Sequence, residues 1–189
     1  MSDAAPSGSL PGTTAAHWLF LIAVAGLAIV VDQATKAYVV AHLARGESWM
    51  PVDAIEPYFR ITHVRNSGAA FGIFPGGGQV FLIIAAVISL AILYFYRQLP
   101  SGVWLVRTAL GLQLGGALGN VIDRLRLDFA VIDFFHVPGF PVFNVADSCI
   151  SVGVALLALA MLREEWRGRR GASRTEQVRP GSEENTPVA

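Results

Sequence analysis

The chain has 189 residues, of which 53% are hydrophobic and only 15% charged, with a formal net charge of zero. A mean hydropathy of +0.52 is too apolar for an ordinary soluble domain, and the balanced charge argues against a nucleic-acid binder. The single cysteine, Cys149, excludes an internal disulfide and any cysteine-cluster metal site.

Residues 1–16 (MSDAAPSGSLPGTTAA) are small and polar, carry no Lys or Arg, and read as a disordered tail. The apolar run from His17 to Val40 is long enough to span a bilayer, as is Val103 to Ile122. Val80–Tyr96 and Val145–Leu162 lie at the short end of the roughly 17–25 residues a span needs. A cleaved signal peptide does not explain the first run, because its leader lacks a positive n-region and Asp32 and Lys36 interrupt its second half. The pattern predicts one membrane domain, residues 17–162, built of four transmembrane helices.

Residues 163–189 are expected to form a disordered basic tail. Arg163, Arg167, Arg169, Arg170, Arg174 and Arg179 place it in the cytoplasm by the positive-inside rule. Four spans then bring the N-terminal tail to the same side and leave 41–79 and 123–143 outside. Five arginines in those outer segments (Arg45, Arg60, Arg65, Arg124 and Arg126) count against this orientation.

Asp32 and Lys36 stand at i, i+4 with the acid first, the favourable order on a helix face, and either neutralise each other or orient a site. The outer segment 46–74 alternates β-branched and aromatic residues (Tyr58, Phe59, Ile61, Thr62, Val64) and ends in Asn66-Ser67-Gly68, which predicts a small extracytoplasmic sheet between the first two helices. Gly68, Ala69, Ala70 and Gly72 permit close backbone approach, suited to tight packing or to an extended peptide laid alongside. Gly111, Gly115 and Gly119 form a small-xxx-small stripe that predicts close helix packing.

Two aspartates stand out. Asp133 lies among Val131, Ile132, Phe134 and Phe135 with no adjacent cation, so burial should favour its protonated form. Asp147 follows Asn144 by three residues, which reads as a helix start with Asn as N-cap and a carboxylate facing free N–H groups. If the fold joins them, one is poised as acid and the other as base, as in aspartyl proteases. The plainer alternative makes Asp147 a helix-start residue and Asp133 a loop residue paired with an arginine. Asp128, in RLRLD, is expected in a solvated ion pair, and Asp123 in a structural pairing with Arg124.

Under the predicted topology Asp32 and Lys36, then Asn120, Asp123 and Arg124, then Asn144 and Asp147 all reach one depth near the outer face. Each ionisable group placed in a membrane costs about 2.5–3.5 kcal/mol on insertion scales, so their convergence points to a site. His17, His42, His63 and His136 show no ligand spacing, and no metal is inferred.

VDQATKAYV around Asp32 and Lys36, RNSGAAFGIF at 65–74, GGALGNVIDRL at 115–125, VIDFF at 131–135 and FNVADS at 143–148 together resemble the five ordered motif blocks of lipoprotein signal peptidase, or signal peptidase II. The resemblance covers about Val31 to Gly153. It implies a bacterial inner-membrane aspartyl endopeptidase that needs no cofactor, works as a monomer among membrane lipids, and removes signal peptides from diacylglyceryl-modified prolipoproteins. It also implies sensitivity to the cyclic peptide globomycin. The family's catalytic pair maps onto Asp133 and Asp147, and its other polar motif positions onto Asp32, Lys36, Asn66, Gly68, Asn120, Asp123, Arg124, Asn144 and Ala146. The peptide would lie across the Gly68-Ala69 region.

Two departures stand out. The link from Asp133 to Asn144 is short, with Pro138-Gly139 and Pro141 where many relatives carry a longer helical lid. The spacing from GNVIDR to Asp133 is a residue longer than usual. Two other mechanisms stay open on sequence: a Ser/Lys protease using Ser67 or Ser148 with Lys36, the chain's one lysine, and a small proton-coupled transporter using Asp32 and Asp147 as relays.

Overall fold

The computed structural model describes residues 12–68 and 77–177. Four helices are long and apolar enough to cross a membrane: α1 (Ala15–His42), α2 (Gly78–Tyr96), α3 (Trp104–Arg126) and the Val145–Arg167 part of α4 (Val145–Gln177). Mean hydropathy is 1.2 in α3 against 2.0, 2.4 and 2.1 in the others. The packing gives the reason. α3 is the central helix, packed against α1, α2 and α4, while Leu19, Ile22, Ile83, Leu90 and Met161 of its neighbours turn outward, as lipid-facing side chains do.

The glycine stripe lets α3 come this close. A Cβ added to Gly115 would lie 2.7 Å from both the Ala25 carbonyl oxygen and the Ala28 Cβ of α1. One added to Gly119 would lie 2.7 Å from Asp32 Oδ2. Gly116, one position round the helix, meets Ala146 and Ile150 of α4 in the same way. Close backbone approach replaces the hydrophobic drive that is missing between helices in lipid.

All three strands gather where α1 and α3 end and α2 and α4 begin. β1 (Ser48–Trp49), β2 (Arg60–Asn66) and β3 (Val131–His136) form an antiparallel sheet in the order β1-β2-β3. The expected sheet is therefore present, but its third strand comes from the α3–α4 connection and carries Asp133. Register pairs Val64 with Asp133 and Asn66 with Val131. Because side chains alternate across a strand, Val131 and Asp133 line one cavity while Phe134, on the other face, lines another.

At the opposite end, Leu21, Ala25, Ile92, Tyr96 and Leu114 make a buried cluster. Arg107, fully buried, donates to the carbonyls of Leu99 (3.0 Å) and Pro100 (3.1 Å), and Thr13 Oγ1 donates to the Tyr96 carbonyl at 2.9 Å. The N-terminal tail is thus ordered from Thr13, because its hydroxyl satisfies a carbonyl that the end of α2 leaves free; residues 1–11 lie outside the described residues. Where the sequence reading places a tail from residue 163, α4 runs on as far as Gln177. Arg- and Glu-rich sequence without proline extends α4, and Glu165 and Arg169 pair at i, i+4 across 2.6 Å. Residues 178–189 lie outside the described residues.

Candidate active site

α4 opens on Asn144 as the sequence predicts. Asn144 Oδ1 accepts the Asp147 N–H at 2.9 Å, and Asp147 Oδ2 accepts the Asn144 N–H at 3.2 Å. This reciprocal cap fixes the Asp147 carboxylate at the positive end of the helix. Asn144 has no solvent exposure, and its side-chain amide also donates to Asp133 Oδ1 at 2.7 Å. One residue therefore grips both carboxylates.

The remaining oxygens are held separately. Asn66 Nδ2 of β2 donates to Asp133 Oδ2 at 2.9 Å, and Asn120 Nδ2 of α3 donates to Asp147 Oδ1 at 2.8 Å. Burial, and next the repulsion of Asp147, push the Asp133 carboxyl up to about 7, against the opposing pull of the Asn66 and Asn144 hydrogen bonds. The upward direction is the one the sequence anticipates for Asp133, and no arginine forms an ion pair with it among the described residues.

Behind this pair lies a buried charge network. Lys36 Nζ meets Asp32 Oδ2 and Asp123 Oδ2, each at 2.9 Å, and donates to Asn120 Oδ1 at 3.0 Å. Asp32 Oδ1 in turn accepts the Ala146 N–H at 2.9 Å, and Asp123 Oδ2 accepts the Ile132 N–H at 3.1 Å. Neutralisation and orientation, posed as alternatives for Asp32 and Lys36, are both present. The expected Asp123–Arg124 pairing is not. Consecutive helix residues point about 100° apart, so Asp123 turns inward to Lys36 while Arg124 turns towards the cleft, over the Phe81 ring at 5.7 Å. Asp128 is exposed and forms no ion pair among the described residues. It and Phe129 instead take left-handed backbone (φ 50° and 61°) where the chain leaves α3 for β3.

Gln33 was missed by sequence reasoning. Its Nε2 donates to Asp32 Oδ2, the Gly119 carbonyl and Asp123 Oδ1 at 3.1, 3.1 and 2.9 Å. A signal existed: a third polar residue beside Asp32 in an otherwise apolar run.

The two carboxylates open into a cleft of about 540 Å³ whose walls include Asn66, Gly68, Asn120, Arg124 and the 140–143 segment. Gly68 N–H donates to Asn66 Oδ1 at 3.0 Å, which orients the Asn66 amide towards Asp133; Ala69, Ala70 and Gly72 lie outside the described residues. The short link is a turn, not a helical lid. Phe140 N–H returns to the Val137 carbonyl at 3.0 Å and Gly139 has φ +81°, a type II turn with Pro138 and Gly139 at its centre. Phe143 then pairs with Phe135, folding Phe140 to Phe143 over the cleft. Neither serine reaches Lys36: Ser148 Oγ donates to the Asn144 carbonyl at 2.9 Å, and the lysine's partners are Asp32, Asp123 and Asn120.

The family model described as signal peptidase (SPase) II matches residues 24–163. The chain belongs to the signal peptidase II family. Relatives named lipoprotein signal peptidase include those of Symbiobacterium thermophilum, 42% identical over 78% of this chain and 97% of the relative, and Bacillus subtilis, 40% identical over 78% and 96%. Two bacterial membrane enzymes solved by the in meso method share the fold. One, at 2.3 Å, has a TM-score of 0.70 with 28% identity over 96% of this chain and 99% of its own. The other, at 1.9 Å, has a TM-score of 0.65 with 34% identity over 75% and 92%. Within this signal peptidase II framework, the described parts of the five motif blocks meet at the sheet end of the bundle, and the polar residues named from them line the cleft or brace it from behind.

Proposed function

We propose that the protein is an aspartyl endopeptidase that removes the signal peptide from diacylglyceryl-modified prolipoproteins, cutting before the lipidated cysteine. The observation that carries this reading is the pair of carboxylates, buried Asp133 and half-buried Asp147, held by one asparagine at the mouth of a cleft among membrane helices. Acyl chains of the substrate would stay in the bilayer between helices, with the peptide extended past Gly68 and Ala69.

The pair shares one proton, resting on Asp133. Ionised Asp147 takes a proton from water as its oxygen attacks the scissile carbonyl, while protonated Asp133 donates to the carbonyl oxygen. Collapse of the tetrahedral intermediate breaks the C–N bond. The proton taken from water passes to the leaving amine of the cysteine, and the Asp133 proton returns. Arg124, Asn66 and Asn120 offer donors at the cleft wall for substrate and intermediate. No step calls on a metal or cofactor.

The protein would sit in the bacterial inner membrane as a monomer, with both termini cytoplasmic and the cleft at the extracytoplasmic face, and would bind globomycin-type inhibitors there. Incubating purified protein with diacylglyceryl-modified and unmodified prolipoprotein tests the reading. Only the modified form should be cut, before its cysteine; equal cleavage of both, or of neither, would overturn it.

A further inference from the structure

On the far side of the Lys36 network from the carboxylate pair lies a separate cavity of about 490 Å³. Arg45, Arg65 and Arg126 stand at its exposed rim, and Ala37, Val40 and Ala41 of α1 line it in a strip. Its floor is the buried Lys36–Asp123 pair, with Lys36 fully engaged. We propose that this cavity binds the phosphodiester headgroup of an anionic phospholipid.

Three arginines line one rim, and together they raise the positive potential there and attract an anion. Arg65 is fixed in place, its Nη2 donating to the Leu127 carbonyl at 2.5 Å. Arg45 and Arg126 form no ion pair and no side-chain hydrogen bond among the described residues. Glu47, the acid nearest Arg45 in sequence, is turned to accept the Ala44 N–H at 2.7 Å. Guanidinium forks match phosphate oxygens in shape as well as charge. The helix ends alone do not account for the cluster, because Arg65 belongs to β2. The apolar strip selects a lipid over free phosphate: Val40 lines the same cavity and is 50% exposed, an apolar contact for the first acyl carbons of a seated phospholipid. The assignment holds whichever way the bundle is inserted, since rim and strip lie at the sheet end of α1 and α3.

The test reconstitutes the full chain into nanodiscs of zwitterionic lipid carrying a small fraction of phosphatidylglycerol. Lipid retained on release into neutral detergent is then counted by native mass spectrometry. The parent should keep one phosphatidylglycerol in preference to phosphatidylcholine, and excess glycerophosphate should not displace it. The double variant Arg45→Gln/Arg126→Gln breaks no observed bond, and its melting temperature in neutral detergent should match the parent's. Each basic residue near an anionic headgroup contributes about a factor of five, so its preference should fall on the order of 25-fold. Arg163→Gln/Arg167→Gln, at the other end of the bundle, should leave the preference unchanged. Equal retention of both lipids by the parent, undiminished preference in the rim variant, or displacement by glycerophosphate would each overturn the proposal.

Discussion

Asn144 donates its side-chain amide to Asp133 Oδ1 at 2.7 Å, and the same residue exchanges two hydrogen bonds with Asp147. Strand β3 and helix α4 are thus tied together at the atoms that would do chemistry. Asn144→Ala should remove the helix cap and leave Asp133 Oδ1 without its donor. Losses of about 0.5–2 kcal/mol for the cap and about 1–3 kcal/mol for the buried acceptor are expected. Turnover should fall further than in Asn66→Ala, which removes a donor to Asp133 and none to Asp147. Thermal melts and cleavage rates of the two variants side by side check this; equal effects would deny Asn144 its double role.

The Lys36 network predicts an order among its variants. Asp123→Asn leaves Lys36 paired with Asp32, so it should lower stability and reduce activity to a detectable residue. Lys36→Met leaves two buried carboxylates without a counter-charge, a change that typically costs about 3–5 kcal/mol. It should be the less stable of the two in a denaturation series. An Asp123→Asn variant as stable as its parent yet wholly inactive would give Asp123 a chemical role.

Gly119 faces Asp32 with no room for a side chain. Gly119→Val should push α1 from α3 and disturb the Asp32 bond to Ala146. Overpacking of this kind costs about 1–3 kcal/mol, and cleavage should fall with stability. Gly26→Val has open space around it and should alter neither, which a paired melt and assay would show.

Local relationships were readable in the sequence. Asn144 and Asp147 are three residues apart and Asp32 and Lys36 four, so helix geometry alone brings them together. The shortness of the link and its Pro138-Gly139 were also visible, though the sequence reading left the shape of that segment open. Contacts between distant segments were not readable. Nothing near Val131 tells that it pairs with Asn66 across two helices, and so the third strand went unassigned. Asp123 was given to its neighbour Arg124 because sequence adjacency hides the direction in which each side chain leaves the helix. The extension of α4 beyond Leu162 was obscured because its charge reads equally as a tail or as a solvated helix.

The raised Asp133 value makes a signed prediction. An unfolded carboxyl loses its proton near the usual value of about 3.9, whereas the folded one keeps it to about 7. Between those values the folded state holds the extra proton, so this group lowers stability progressively as pH rises, with no further change above about 7. Asp133→Asn lacks that penalty. Its melting temperature relative to the parent should therefore climb from pH 4 to pH 7 and then level off. A difference that falls over this range would contradict the buried, protonated state of Asp133.

The aspartyl mechanism stands or falls on turnover of the two isosteric variants. Asp133→Asn and Asp147→Asn keep the shape of each side chain but can neither give nor take the proton. Each should lose at least the about 10²–10⁴-fold that general acid–base help provides, while still binding a globomycin-type inhibitor. The double variant should be hardly worse than either single one, because the two groups act as a unit. Single-turnover cleavage of diacylglyceryl-modified prolipoprotein by the parent and the three variants measures this directly. Near-complete loss in each is the predicted result; more than about a tenth of parental rate in either single variant, far above the expected residue, would contradict it.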